Sequence, residues 1–144
     1  MSTGLPVFDT TVQETNLWLK DVEGLLPPCN RQEAYGALRA VLHVLRDRLP
    51  TEAVLGLSAQ LPMLLRGVFL EGWRPADGPT AIRDPKVFAG EVVEHLAPTF
   101  PCLPKDTVAA VFAVLAQQLD PGEVAKLGQY LPPRLRGLFP RQPA

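Results

Sequence analysis

Arg66 and Arg136 are the polar residues best suited to bind something, because each stands beside a glycine, Gly67 or Gly137, and both recur at a spacing of 70 positions. A guanidinium fork matches a carboxylate or a phosphate. It can also tie one helix to a carboxylate or to the exposed carbonyls at the end of another. The second role is preferred, since a residue repeated at fixed spacing is what a repeated packing scheme retains. His43 and His95 have no histidine or cysteine partner at i+3 or i+4, and neither recurs in the other unit. Zinc needs three or four protein ligands, and the sequence adds only Cys29, Cys102 and scattered carboxylates. No metal, no cofactor and no catalytic residue is therefore expected, and the chain reads as a non-enzyme. A Cys/His nucleophilic pair would need the fold to bring distant residues together, and no feature of the sequence does so. Cys29 and Cys102 each follow a proline, and so sparse a pair reads as free thiols of a cytoplasmic chain. Glycine-rich phosphate loops are absent.

The 144 residues carry 14 basic and 15 acidic side chains, a formal net charge of −1, which provides no field to steer the chain onto nucleic acid or an anionic membrane. The start, Met1-Ser2-Thr3-Gly4-Leu5-Pro6, lacks a basic segment followed by an apolar one, and no apolar run approaches the ~18 residues of a membrane span. These features point to a cytoplasmic protein with no nucleic-acid or membrane partner. At 47% hydrophobic residues the length suits one domain over 1–144. The 16 prolines are dispersed as punctuation between elements.

Those elements are written twice. Shifted by 70 positions, Ala34 to Phe69 aligns with Pro104 to Phe139 without a gap, and 13 of 36 pairs are identical. The offset indicates an internal duplication. One unit covers about 9–73 and the other about 84–143, with a Pro/Gly linker over 74–83. Each unit closes on Leu-Pro-x-x-Leu-Arg-Gly-x-Phe, at Leu61 to Phe69 and Leu131 to Phe139, and Glu71-Gly72-Trp73 follows the first block. Over about 14–139 these features resemble the bacterial family catalogued as domain of unknown function 2267. That resemblance implies an all-helical duplicated domain and brings no activity, cofactor or catalytic residue.

Apolar residues recur at three and four and never alternate over a strand length, which predicts an all-α fold of two pseudo-symmetric units, about four helices each, in one bundle-like domain. In the first unit a helix is expected from a cap at Thr11 with Glu14, turning Val12, Trp18 or Leu19, Val22, Leu25 and Leu26 inward. Its counterpart opens at Asp84-Pro85 and buries Val87, Phe88, Val92 and Leu96. The central helices begin at Asn30 with Glu33, running to about Leu49, and after Pro104. Short helices follow over 52–60 and 123–130. Two-turn helices then start at Pro62 and Pro132, presenting Leu65, Val68 and Phe69, or Leu135, Leu138 and Phe139.

The two copies differ most on the central helices. Arg39, His43 and Arg46, spaced four and three apart, become Ala109, Ala113 and Ala116. The polar stripe is placed on a solvated face, so replacing His43 should matter little. The alanine stripe lets another helix approach closely, either inside the molecule, which is preferred, or as a partner surface. Trp73, in the linker region, either plugs the seam between units, the preferred reading, or serves as an aromatic anchor for a partner. The function these features favour is a non-catalytic cytoplasmic interaction or regulatory module with a protein partner or self-association. The alternative is a carrier or sensor of a small apolar ligand held between the units.

Overall fold

Helix start signals act where the side chains can reach the first-turn N–H groups. The computed structural model describes residues 2–80 and 84–140. Helix α2 (Arg31–Arg46) opens on Asn30, whose side chain accepts from Glu33 N at 2.8 Å while Glu33 Oε1 accepts from Asn30 N at 3.0 Å. This reciprocal pair satisfies two orphan donors. Helix α5 (Pro85–Glu94) opens on Asp84, which accepts from Lys86 N at 2.9 Å, with Pro85 in the first turn.

Helix α1 (Pro6–Leu25) departs from expectation by starting at Pro6 rather than Thr11. The Asp9 carboxylate accepts from Thr3 N at 2.6 Å and from the Thr3 hydroxyl at 2.8 Å, closing the start of the helix earlier. Thr11 is thus internal and buried, and its Oγ1 accepts from Leu64 N at 2.8 Å. The expected cap instead serves an unsatisfied first-turn donor of helix α4 (Met63–Leu70), whose own N-cap, Pro62, makes no side-chain cap bond.

Helices α3 (Thr51–Gln60), α6 (Pro104–Gln118), α7 (Pro121–Gln129) and α8 (Pro133–Arg136) complete the set, with a 3₁₀ turn at Pro75–Asp77. No strand occurs among the described residues. The protein is an all-helical bundle in which α2 touches α1, α4, α5 and α6, and α6 touches α1, α2, α5 and α7. Leu38, Val41, Leu42, Leu45 and Leu49 of the α2 region are buried, as are Val108, Val111, Phe112, Val114, Leu115 and Leu119 of the α6 region. One core cluster joins them, with Phe112 edge-on to Phe88 at 5.9 Å and 4.6 Å from Phe139 between ring centroids.

Several inward assignments need correction. Trp18 and Leu19 are both buried, but Val12, Leu25 and Val87 are exposed. The buried stripe of α1 runs through Thr11, Thr15, Trp18, Leu19 and Val22. Val12 is one position, or about 100°, off that stripe, and Val87 is likewise one position from buried Phe88. Helix α2 ends at Arg46, after which Arg48 N and Leu49 N bond three residues back, to Leu45 O and Arg46 O. Helix α8 is one turn rather than two, because beyond Gly137 the bonds tighten to Leu138 N on Leu135 O and Phe139 N on Arg136 O. Leu138 and Phe139 still reach the core. Of the linker, Thr80 N donates to Asp47 O at 2.7 Å, while 81–83 and the last residues of the second unit, 141–143, lie outside the described residues.

Candidate functional site

The two repeated arginines make matching bonds. Arg66 Nε donates to Ser58 O at 2.9 Å and Nη2 to Leu61 O at 3.2 Å. Arg136 Nε donates to Gly128 O at 2.9 Å and Nη2 to Leu131 O at 3.2 Å. Each fork therefore ties a last helix to the C-terminal carbonyls of the helix before it, where unpaired acceptors and the helix dipole favour a cation. A Cβ on Gly128 would meet Arg136 Cγ at 3.3 Å, so the glycine gives the arginine stem room to lie across α7. Trp73 is half-buried and packs against the core, its backbone N–H donating to Leu70 O at 3.0 Å, which leaves it folded back rather than extended.

The stripe placed on solvent in the sequence is largely inside. His43 and Arg46 are buried, and Arg39 is half-buried. His43 Nε2 donates to Val68 O at 2.6 Å, and its ring meets His95 edge-on at 6.4 Å. Arg46 Nη1 donates to Phe69 O at 3.0 Å and Glu71 O at 2.7 Å, while Nε pairs with Asp47 Oδ1 at 3.0 Å. The correction has a plain cause. The C-terminal carbonyls of α4 need donors, and α2 lies beside them. Burial lowers the His43 pKa from its ordinary value, opposed by the Val68 hydrogen bond and aided by Arg46, Arg39 and His95. Arg48, also buried, reaches across to Glu91 of α5.

At the 70-residue offset, His43 and His95 correspond to Ala113 and Leu25. Beside Ala113 and Leu25 lies an open groove of about 590 Å³ between the end of α1 and the face of α6. Its lining includes Ala109, Ala110 and Ala113 as well as Leu25, Pro27, Pro101, Cys102, Leu103 and Asp106. Ala109 is exposed, Ala113 half-buried and Ala116 packed against the core, so the interior position preferred for the stripe describes Ala116 alone. Leu25 is 46% and Leu103 60% exposed. Gln118 Nε2 pins the same two helices by donating to Asp21 at 2.8 Å.

The fold also brings together what the sequence kept apart. Cys29, on the connection before α2, and Cys102, on the connection before α6, are free thiols with sulfurs 3.6 Å apart. The pairing has no sequence signal, because the two positions do not correspond under the 70-residue offset. A smaller cleft of about 210 Å³ lies between α3 and α7, lined by Ala53, Gly56, Leu57 and Leu127 together with Glu52, Glu123, Lys126 and Tyr130. Tyr130 Oη donates to Glu52 Oε1 at 3.0 Å at that cleft. Among the described residues no group of three or more His, Cys, Asp or Glu side chains is placed to hold a metal ion, and no helix is long and apolar enough to cross a membrane.

Compared with known families, residues 15–138 match a family model described as "Uncharacterized conserved protein (DUF2267)". No curated protein matches the chain.

Proposed function

The chain belongs to this DUF2267 family, whose description names no reaction, and we propose that it is a non-catalytic, cytoplasmic helical interaction module that seats an apolar protein segment in the α1/α6 groove. The observation that carries this reading is the groove itself, with a floor of Ala109 and Ala113 and exposed Leu25 and Leu103 beside it. Small floor residues let a partner's backbone come close, and leucines at the edge add apolar area that a partner can remove from water. The non-catalytic part rests on where the polar groups are used. His43, Arg46, Arg66 and Arg136 are all bonded to main-chain carbonyls near helix ends.

The second reading, a carrier or sensor of a small apolar ligand, finds its support in the α3/α7 cleft, which lies between helices of the two units. At about 210 Å³ it is below the roughly 300–1,000 Å³ of ordinary ligand pockets, and Glu52, Glu123 and Lys126 line it. The groove is therefore preferred.

The test replaces Ala113 with arginine. Because Ala113 is only half-buried, the variant is expected to keep its helical circular dichroism and a Tm close to that of the parent. A partner protein captured by the parent chain, then purified and titrated, should bind the variant at least about tenfold more weakly. Unchanged affinity would overturn the reading. So would a native mass spectrum in which the parent carries a small molecule and no protein.

A further inference from the structure

Cys29 and Cys102 are 73 positions apart in the chain, and their sulfurs meet at 3.6 Å. A disulfide needs about 2.05 Å, so closure asks for a relative approach of roughly 1.5 Å. Both residues sit on connections between helices, where side-chain rotation and a small loop shift can supply it. Three contacts hold the two residues in place. Cys29 N donates to Leu26 O at 2.8 Å, and the Cys102 thiol points toward Leu26 O at 3.8 Å and Pro27 O at 3.7 Å, over the segment that leads to Cys29. We propose that Cys29 and Cys102 form a redox modification site: a dithiol that a peroxide oxidises to an intramolecular disulfide joining the α1–α2 connection to the α5–α6 connection.

The two sulfurs have different access. Cys29 is buried, whereas Cys102 is half-buried and lines the open α1/α6 groove, so Cys102 meets the oxidant. Burial, with the Cys102 contact and the charges of Glu33 and Glu23, pushes the Cys29 thiol up to about 12, so Cys29 is not the sulfur that meets peroxide first, and in the second step its proton leaves as its sulfur attacks. The Cys102 thiolate attacks one peroxide oxygen, the O–O bond breaks, and the departing hydroxide takes a proton to become water. Cys102 is then a sulfenic acid. Cys29 sulfur attacks that sulfur, the S–O bond breaks, and the hydroxyl leaves with the Cys29 proton as a second water. Two thiols lose two electrons in all, and one peroxide gains them. The test uses the protein with its groove free, and its readout is mass rather than affinity, so its failure is distinguishable from failure of the groove reading.

The full-length reduced protein is treated with a small excess of hydrogen peroxide, quenched with an alkylating agent and weighed intact under non-reducing conditions. The expected product is monomeric, lighter than the reduced chain by two hydrogens, about 2 Da, resistant to alkylation, and restored by dithiothreitol. Digestion should yield one linked peptide pair containing Cys29 and Cys102. In Cys29→Ser, Cys102 should stop at the sulfenic acid and be trapped by dimedone, while Cys102→Ser should form neither product. Sulfinic or sulfonic acid at Cys102 without the cross-link, a disulfide-linked dimer, or thiols that peroxide leaves untouched would each overturn the proposal.

Discussion

Burial beside α4 lowers the His43 pKa, and the Val68 hydrogen bond only partly opposes it. The unfolded chain should titrate this group near 6.5. Between the lowered folded value and about 6.5, the unfolded state holds a proton that the folded state lacks, so stability rises with pH. The contribution is complete above about 6.5 and is lost as pH falls through the folded value. Denaturant midpoints measured between pH 7.5 and 5 should therefore fall with acid, and His43→Gln should flatten that slope. An unchanged slope in the variant would assign the titration to another group. Asp9, whose carboxyl lies below its ordinary value through the Thr3 bonds, acts only at more acidic pH. Replacing His43 with alanine leaves the Val68 carbonyl without its donor and should cost about 1–3 kcal/mol at neutral pH, in place of the small effect that a solvated position would give.

At the scale of elements, α2 and α6 carry the core. Leu45 and Leu115 are both 0% exposed and stand 70 positions apart in the chain. Truncating either side chain removes apolar burial and leaves a cavity that rigid neighbours cannot fill. Leu45→Ala and Leu115→Ala should each lower unfolding free energy by about 2–5 kcal/mol in denaturant titration. A loss under about 1 kcal/mol would mean that the helix turns another face inward. The same two helices differ in what their polar and small residues do. In α2, His43 and Arg46 serve the carbonyls near the end of α4, a helix of eight residues, whereas α8 has only four. The alanines of α6 leave the groove open at the corresponding face.

For the whole molecule, the buried core runs through both halves as one cluster, and α1 touches α6 while α2 touches both α5 and α6. Neither half can close its own core. Calorimetry of the full chain should thus show a single cooperative transition. A fragment comprising residues 1–80 should show none, because faces of α1 and α2 that are covered by α5 and α6 would stand in water. A fragment that melted cooperatively near the parent Tm would mean that the units are independent domains.

Much of this was legible in one dimension. Periodicity of three and four, the Asn30 and Asp84 caps, and the proline breaks are local codes, since each depends on neighbours within about one helical turn. They define all-α architecture, the approximate order of the eight α-helices among the described residues, and most of the buried stripes of α2 and α6. The matching carbonyl contacts of Arg66 and Arg136 are also local, with partners only five and eight residues away. Several of the errors fall where the deciding partner is remote in sequence. Thr11 serves Leu64, and His43 serves Val68; Cys29 faces Cys102, and Ala113 shares a groove with Leu25. A polar stripe looks the same in sequence whether it faces water or another helix's unpaired carbonyls. Only the packing of helices brings those acceptors into reach, and it also determines which thiols meet and which alanines remain uncovered.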